Sequence, residues 1–204
     1  MSTPSLTYEH TEGDPDAPVL VLLHGTGGSP SDLRGVAAEL EPRAPLIAPA
    51  GPVSEGGSAR WFRRLAEGVF DHEDVVRRTH QVAEFLGEAV EQHGYRDRRL
   101  VAVGFSNGAN IAAALTLLRP DVLREAVLFA SMLPVPEPPE HDLSGSRVFL
   151  GNGRVDPMAP LDSANRLVAA LRARSAEVTE HWHDGGHQIT MPAVQAAADW
   201  LTRR

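Results

Sequence analysis

A serine lies between two glycines in the segment Gly104-Phe105-Ser106-Asn107-Gly108, directly after an apolar run. The spacing fits the G-x-S-x-G pattern, in which a sharp strand-to-helix turn presents a serine hydroxyl for attack on a carbonyl group. A side chain at either glycine would clash with the neighbouring strand and helix. The segment therefore predicts a nucleophile at Ser106, with an ordinary Gly-Ser turn as the alternative.

A serine hydroxyl is a poor nucleophile until a base removes its proton. His187 lies in the segment HDGGHQIT, between the last predicted strand and the last predicted helix, where glycines leave the loop free to place the imidazole. His181 and His183 alternate along that strand, so we expect them to be structural or exposed. His187 is the candidate base.

The base needs a carboxylate that fixes its tautomer and steadies its positive charge. Asp156, in the segment GNGRVDPMAP, directly follows a predicted strand and is the candidate acid. Asp184 is the rival, but it shares a short loop with the histidine and is more naturally part of a solvated turn. The chain order Ser106, Asp156, His187 is the order expected for a triad built on a sheet of this kind.

A negative charge that develops on the attacked oxygen needs preorganised N–H donors. Asn107 follows the nucleophile, and Thr26 lies in the Gly-rich segment LLHGTGGSP after the first central strand, so their backbone N–H groups are the candidate donors. We expect His24 to brace that turn through hydrogen bonds. The alternative for this segment is an ordinary strand-to-helix loop.

These residues have to be positioned by strands that alternate with helices, which predicts an α/β domain with a mostly parallel sheet and helices on both faces. The predicted strands are 18–25, 44–52, 98–105, 124–132, 146–153 and 176–183. The predicted helices are 29–42, 73–93, 107–120, 161–174 and 190–203. Chemistry in such folds lies at the carboxyl ends of the strands, where all the candidate residues fall.

The chain has 204 residues, and we expect it to form one domain, 1–204. Its composition argues against several classes of function. A formal charge of −8 disfavours a nucleic-acid partner, because phosphate binding needs concentrated Lys and Arg. There is no cysteine, so neither a disulfide nor a thiol nucleophile is expected. The absence of a long apolar run or a signal-like start predicts a soluble, cytoplasmic protein without a membrane partner.

The whole set of motifs resembles the phospholipase/carboxylesterase family of α/β-hydrolases. The segments LLHGTGG, RWFRRLAEGVFDHED, GFSNGANIA, GNGRVDPMAP and GGHQIT occur in the order typical of that family. The stretches RRLAEGVFD and SNGANIAA resemble its small bacterial carboxylesterase branch, linked to hydroquinone and catechol resistance. The resemblance implies the triad and oxyanion donors named above, no cofactor or metal, and often a homodimer.

Two features depart from relatives of this family. The nucleophile is serine and not the cysteine of the related dienelactone hydrolases, and the Pro-rich segment 133–145 replaces a helix that many relatives carry. No segment is long enough for a separate lid domain, so we expect a fairly open site.

An apolar wall for an acyl or aryl group is expected from residues in the irregular stretch 51–72 and after two strands. The candidates are Trp61, Phe62, Leu65, Phe70, Met132 and Met158. The alternative is that several of them close the core. Arg63 or Arg64 could attract an anionic group, although surface charge is the simpler interpretation.

The resulting expectation is a serine carboxylesterase that acts on small aryl or short-chain acyl esters. The alternatives are an acyl thioesterase or lysophospholipase with the same triad and, from another class, a non-catalytic binding protein of the same fold.

Overall fold

A computed structural model of the protein describes residues 6–66 and 68–203. The strands of this described part are β1 Tyr8–Thr11, β2 Val19–Leu23, β3 Leu46–Pro49, β4 Val53–Glu55, β5 Ser58–Arg60, β6 Arg64–Ala66, β7 Val69–Phe70, β8 Leu100–Phe105, β9 Glu125–Phe129, β10 Arg147–Gly153 and β11 Glu177–His183. Its α-helices are α1 Arg34–Leu40, α2 His72–Gln92, α3 Asn107–Leu118, α4 Leu161–Arg172 and α5 Met191–Thr202.

The central sheet has seven strands in the order β1-β3-β2-β8-β9-β10-β11. Every neighbouring pair is parallel except β1 with β3, so the predicted mostly parallel sheet is confirmed. Because β2, β8, β10 and β11 run in the same direction, the segments that follow them emerge at one edge of the sheet.

Helices cover both faces of the sheet, as predicted. Along β2, Val21 belongs to the core cluster that includes α2, α3 and α4, whereas Leu22 belongs to the cluster that includes α1 and α5. This alternation follows from the two-residue period of a strand. All twelve residues of α3 are buried, as its apolar composition on every side predicts.

One predicted helix is shorter than expected, and one stretch expected to be irregular contains short strands. The helix expected over 29–42 begins only at Arg34, because Ser29 and Asp32 hydrogen-bond to each other in a local turn before it. The irregular stretch 51–72 contains two small antiparallel hairpins, β4 with β5 and β6 with β7. The Pro-rich segment 133–145 contains neither helix nor strand, as expected.

Strand β1 was not predicted, because its residues YEHT are polar and lie at the sheet edge. It carries part of a cluster in which the rings of His10 and His93 stack at 3.6 Å between centroids. The Tyr8 hydroxyl lies 3.0 Å from His93 Nε2, and the Tyr95 hydroxyl 2.9 Å from His10 Nε2. Burial, and then the charge of His93, lower the pKa of His10, against an opposing effect of Glu12.

No helix within residues 6–66 and 68–203 combines the length and the apolar character that crossing a bilayer requires.

Candidate active site

Ser106 sits at the turn between β8 and α3 with a backbone conformation that non-glycine residues rarely adopt, φ 53° and ψ −118°. The turn is held by the Ser106 N–H, which donates to the Phe129 carbonyl at 2.9 Å. A Cβ on Gly104 would lie 2.6 Å from the carbonyl oxygen of Gly108, and a Cβ on Gly108 would lie 1.8 Å from that of Leu23. Both flanking glycines are therefore required by the close approach of helix and strands.

The structure brings Ser106, His187 and Asp156 together in one hydrogen-bonded series. The Ser106 hydroxyl lies 2.8 Å from His187 Nε2, and His187 Nδ1 lies 2.7 Å from Asp156 Oδ2. The other carboxylate oxygen, Asp156 Oδ1, accepts from the N–H groups of Met158 and Ala159 at 2.8 and 3.0 Å. With both oxygens committed, the buried carboxylate has one orientation.

The loop that carries His187 is packed against the end of β10. A Cβ on Gly153 would lie 2.2 Å from the carbonyl oxygen of Gly185 and 2.4 Å from that of Gly186. Glycine at 153 thus lets the histidine loop approach the strand end from which Asp156 follows.

Asp184, the rival acid, has a fully exposed side chain whose ion pair is with Arg154, at 3.7 Å. It is not hydrogen-bonded to His187, whose Nδ1 partner is Asp156. Of the strand histidines, His183 Nδ1 accepts from the Gly185 N–H, which is a structural contact, as expected.

The candidate oxyanion donors lie beside the serine, since Thr26, Ser106 and Asn107 line the same cavity. Within the described residues, neither the Thr26 nor the Asn107 N–H donates to another protein group. Both stand after a strand end, and the Asn107 N–H belongs to the first turn of α3, whose dipole favours negative charge.

His24 braces the Thr26 turn, as the sequence predicted. Its Nδ1 donates to the Gly25 carbonyl at 2.7 Å, while its Nε2 accepts from the Gly51 N–H at 2.9 Å. This pair of bonds requires a neutral imidazole. Burial lowers the pKa of His24 and so favours that neutral form.

The cavity that contains Ser106 has a volume of about 330 Å³ and adjoins a second one of about 460 Å³. Phe70 and Met158 line both, and Met132 lines the second. These three apolar candidates therefore lie next to the serine or directly beyond it.

Three of the expected wall residues are elsewhere, which corrects the sequence-based prediction. Trp61 and Phe62 are fully buried in the core, where Trp61 Nε1 donates to the His24 carbonyl at 2.8 Å and Phe62 packs edge-on against Phe70. Leu65 is 74% exposed and lines neither cavity. Trp61 and Phe62 lie between β5 and β6, where both side chains join the core cluster on one face of the sheet.

Sequence reasoning missed Arg60 and Asn110, which line the serine cavity together with Arg64. Asn110 had a usable signal, because it is a polar residue in the largely apolar α3, one turn after the serine. Its Oδ1 accepts from the Met132 N–H at 2.9 Å, which fixes the segment that follows β9. Arg63, by contrast, is an exposed residue that pairs with Asp71.

No group of three or more metal-binding side chains occurs in the part of the chain that the structure describes.

The α/β-hydrolase fold has a mostly parallel sheet and places a serine on a strained strand-to-helix turn, within reach of a histidine from the last loop. The structure described above has this arrangement. Residues 10–203 match the Phospholipase/Carboxylesterase family, and the chain belongs to that family. It is therefore a hydrolase of the carboxylesterase/phospholipase type, which confirms the resemblance and the fold class expected from the sequence.

Relatives cover nearly the whole chain. MhqD of Bacillus subtilis (strain 168) is 42% identical over 182 residues, which are 89% of this chain and 91% of MhqD. The crystal structure of the Bacillus cereus carboxylesterase superposes with a TM-score of 0.93 at 40% identity, covering 96% of this chain and 93% of that one. The carboxylesterase from Mesorhizobium loti has a TM-score of 0.87 at 31% identity, with coverage of 93% and 90%.

Proposed function

We propose that the protein is a serine carboxylesterase that hydrolyses small aryl or short-chain acyl esters through an acyl-enzyme intermediate. The observation that carries the proposal is the series of contacts from Ser106 Oγ to His187 Nε2, 2.8 Å, and from His187 Nδ1 to Asp156 Oδ2, 2.7 Å. The series starts at a residue held in a strained conformation, which is how functional sites preorganise a reacting group.

The first half-reaction is acylation of the serine. Ser106 Oγ attacks the ester carbonyl carbon while its proton passes to His187 Nε2, which the contact distance permits. Asp156 accepts from Nδ1–H, so the imidazole presents its unprotonated Nε2 to the serine and its positive charge is stabilised once the proton arrives. The carbonyl oxygen becomes an anion that the N–H groups of Thr26 and Asn107 bind.

Acylation is complete when His187 gives its proton to the leaving alcohol or phenol and the C–O bond of the ester breaks. In the second half-reaction, a water molecule loses a proton to His187 and attacks the acyl carbon. His187 then returns this proton to Ser106 Oγ as the bond between Oγ and the acyl carbon breaks, which releases the carboxylic acid and restores the serine hydroxyl.

The size of the serine cavity supports a small substrate. About 330 Å³ is at the lower end of the range for ligand pockets, and Phe70 and Met158 separate this cavity from the next. A long acyl chain would have to pass these two side chains. The adjoining 460 Å³ cavity favours a second candidate, a thioesterase or lysophospholipase that uses this additional space for a longer chain.

A panel of nitrophenyl acetate, butyrate, octanoate and decanoate, together with acyl thioesters of the same lengths, separates the candidates. We expect the highest kcat/KM for acetate or butyrate esters, with a fall of about tenfold or more toward decanoate. A maximum at decanoate or on thioesters would support the second candidate. If the protein released no product from any of these substrates, the esterase proposal would be refuted in favour of a binding protein.

A further inference from the structure

Three consecutive residues, 59–61, hydrogen-bond to the two turns that carry the candidate oxyanion donors. The Ala59 carbonyl accepts from the Gly27 N–H at 2.8 Å. Arg60 Nη1 donates to Thr26 Oγ1 at 2.9 Å, and the Trp61 N–H donates to Asn107 Oδ1 at 2.7 Å. We call residues 59–61 the brace.

We infer that the brace, and Arg60 in particular, positions the Thr26 and Asn107 N–H groups around the oxyanion. This inference rests on the proposed esterase function and adds a positioning residue to it. The two donors come from turns that follow different strands, so their separation is not set by either turn alone. The brace is the segment that bonds to both.

Arg60 is suited to this role because its guanidinium is held from several sides. The residue is only 3% exposed, and its Nε donates to the Phe62 carbonyl at 3.2 Å and pairs with Glu55 at 3.2 Å. An arginine presents its N–H groups in a rigid planar fork, so anchoring Nε also fixes the direction of the Nη1 bond to Thr26. The bond between a charged donor and the threonine hydroxyl is of the stronger kind.

Close packing keeps the brace in place. A Cβ on Gly51 would lie 2.5 Å from the Arg60 carbonyl oxygen, so only glycine at 51 permits this approach. The Gly51 N–H in turn donates to His24, which anchors the Thr26 turn from its other side. The brace and His24 thus hold the donor turn between them.

Arg60→Met and Arg60→Lys test the inference, with Arg63→Met as the matched control because Arg63 is exposed and lies outside the serine cavity. We expect Arg60→Met to lower kcat on nitrophenyl butyrate by about 10- to 100-fold with KM changed by less than about threefold, since a displaced donor affects the transition state more than substrate binding. Arg60→Lys should recover part of the loss, and Arg63→Met should match the wild type.

Two further measurements distinguish positioning from general damage to the fold. Phenylboronic acid forms a tetrahedral anion on an active serine, so its inhibition constant should rise in parallel with the loss of kcat/KM. Thr26→Val removes only the hydroxyl that Arg60 binds and keeps the backbone N–H. Arg60→Met should therefore add less than about threefold to the loss already caused by Thr26→Val.

The outcomes separate the two proposals. If the wild type is active and Arg60→Met has an unchanged kcat, the inference is overturned and the esterase proposal stands. The same holds if the losses caused by Arg60→Met and Thr26→Val are fully additive in the double variant. A wild type that neither hydrolyses esters nor binds phenylboronic acid would refute the esterase proposal and, with it, the inference.

Discussion

Replacement of Gly108 by alanine tests how closely the nucleophile turn is packed. The added Cβ would lie 1.8 Å from the Leu23 carbonyl oxygen and 2.5 Å from that of His24. Real Cβ contacts are essentially never shorter than 3.0 Å, so the start of α3 and the end of β2 have to separate by at least 3.0 − 1.8 = 1.2 Å. Because β2 leads directly into the Thr26 turn, the displacement separates Thr26 from the serine.

A misplacement of about 1 Å can reduce catalysis by about 100-fold. We therefore expect Gly108→Ala to lower kcat/KM on nitrophenyl butyrate by about 100-fold and the free energy of unfolding by about 1–3 kcal/mol. Gly87→Ala in α2 is the control, since among residues 6–66 and 68–203 no atom beyond its chain neighbours and the adjacent backbone of α2 lies within 4 Å of the added Cβ. It should keep full activity and gain about 0.5–1 kcal/mol in urea unfolding, because alanine suits a helix interior. A Gly108→Ala variant within threefold of wild-type kcat/KM would refute this account of the turn.

Three further predictions concern other parts of the molecule. Asp156→Asn should reduce kcat by about 10⁴-fold by favouring the wrong imidazole tautomer, whereas Asp184→Asn should leave kcat unchanged in the same stopped-flow assay. Met158→Trp should reduce kcat/KM for octanoate more than for acetate, because Met158 lines both cavities, with the exposed Met191→Trp as control. The free energy of unfolding should fall as the pH drops below about 6.5. The pKa of His10 is lowered in the folded protein, so the unfolded chain binds the proton more readily. His10→Gln should therefore weaken this pH dependence.

Each of these predictions has an outcome that would contradict it. Equal losses in the two aspartate variants would argue against a special role for Asp156. A uniform loss across acyl lengths in Met158→Trp would mean that this side chain does not divide the two cavities for the substrate. An identical pH dependence of urea unfolding in wild type and His10→Gln would show that the stacked histidines do not contribute to it.

Much of the fold and the geometry at Ser106 could be predicted because both depend on local signals. Apolar runs that end in glycine indicated the buried parallel strands, and the directions of parallel strands place their ends together. Positions after strands were therefore enough to choose His187 over the strand histidines and to propose Asp156. Asp184 also follows a strand and was set aside because it shares a short loop with His187. In the structure, His187 hydrogen-bonds to Asp156 through Nδ1 and to Ser106 through Nε2.

The cavity wall could not be predicted in the same way. The hairpins of 51–72 have strands of only two or three residues, too short for a periodic pattern to show which side chains face the core. Trp61 and Phe62 were drawn into the core by contacts with distant elements, and Arg60, whose type suggests a surface position, was buried by its bonds to Thr26 and Phe62. Only the tertiary structure shows such contacts.

The most direct test of the central claim is covalent labelling with a fluorophosphonate, read by intact-mass spectrometry and peptide mapping. A fluorophosphonate reacts with a serine whose hydroxyl is activated by a neighbouring base. The wild type should gain one phosphonyl group on the peptide that contains Ser106, and the Ser106→Ala variant, folded to the same extent, should gain none. Labelling of Ser106→Ala at the wild-type rate, or no labelling of the wild type, would contradict an activated nucleophile at this position.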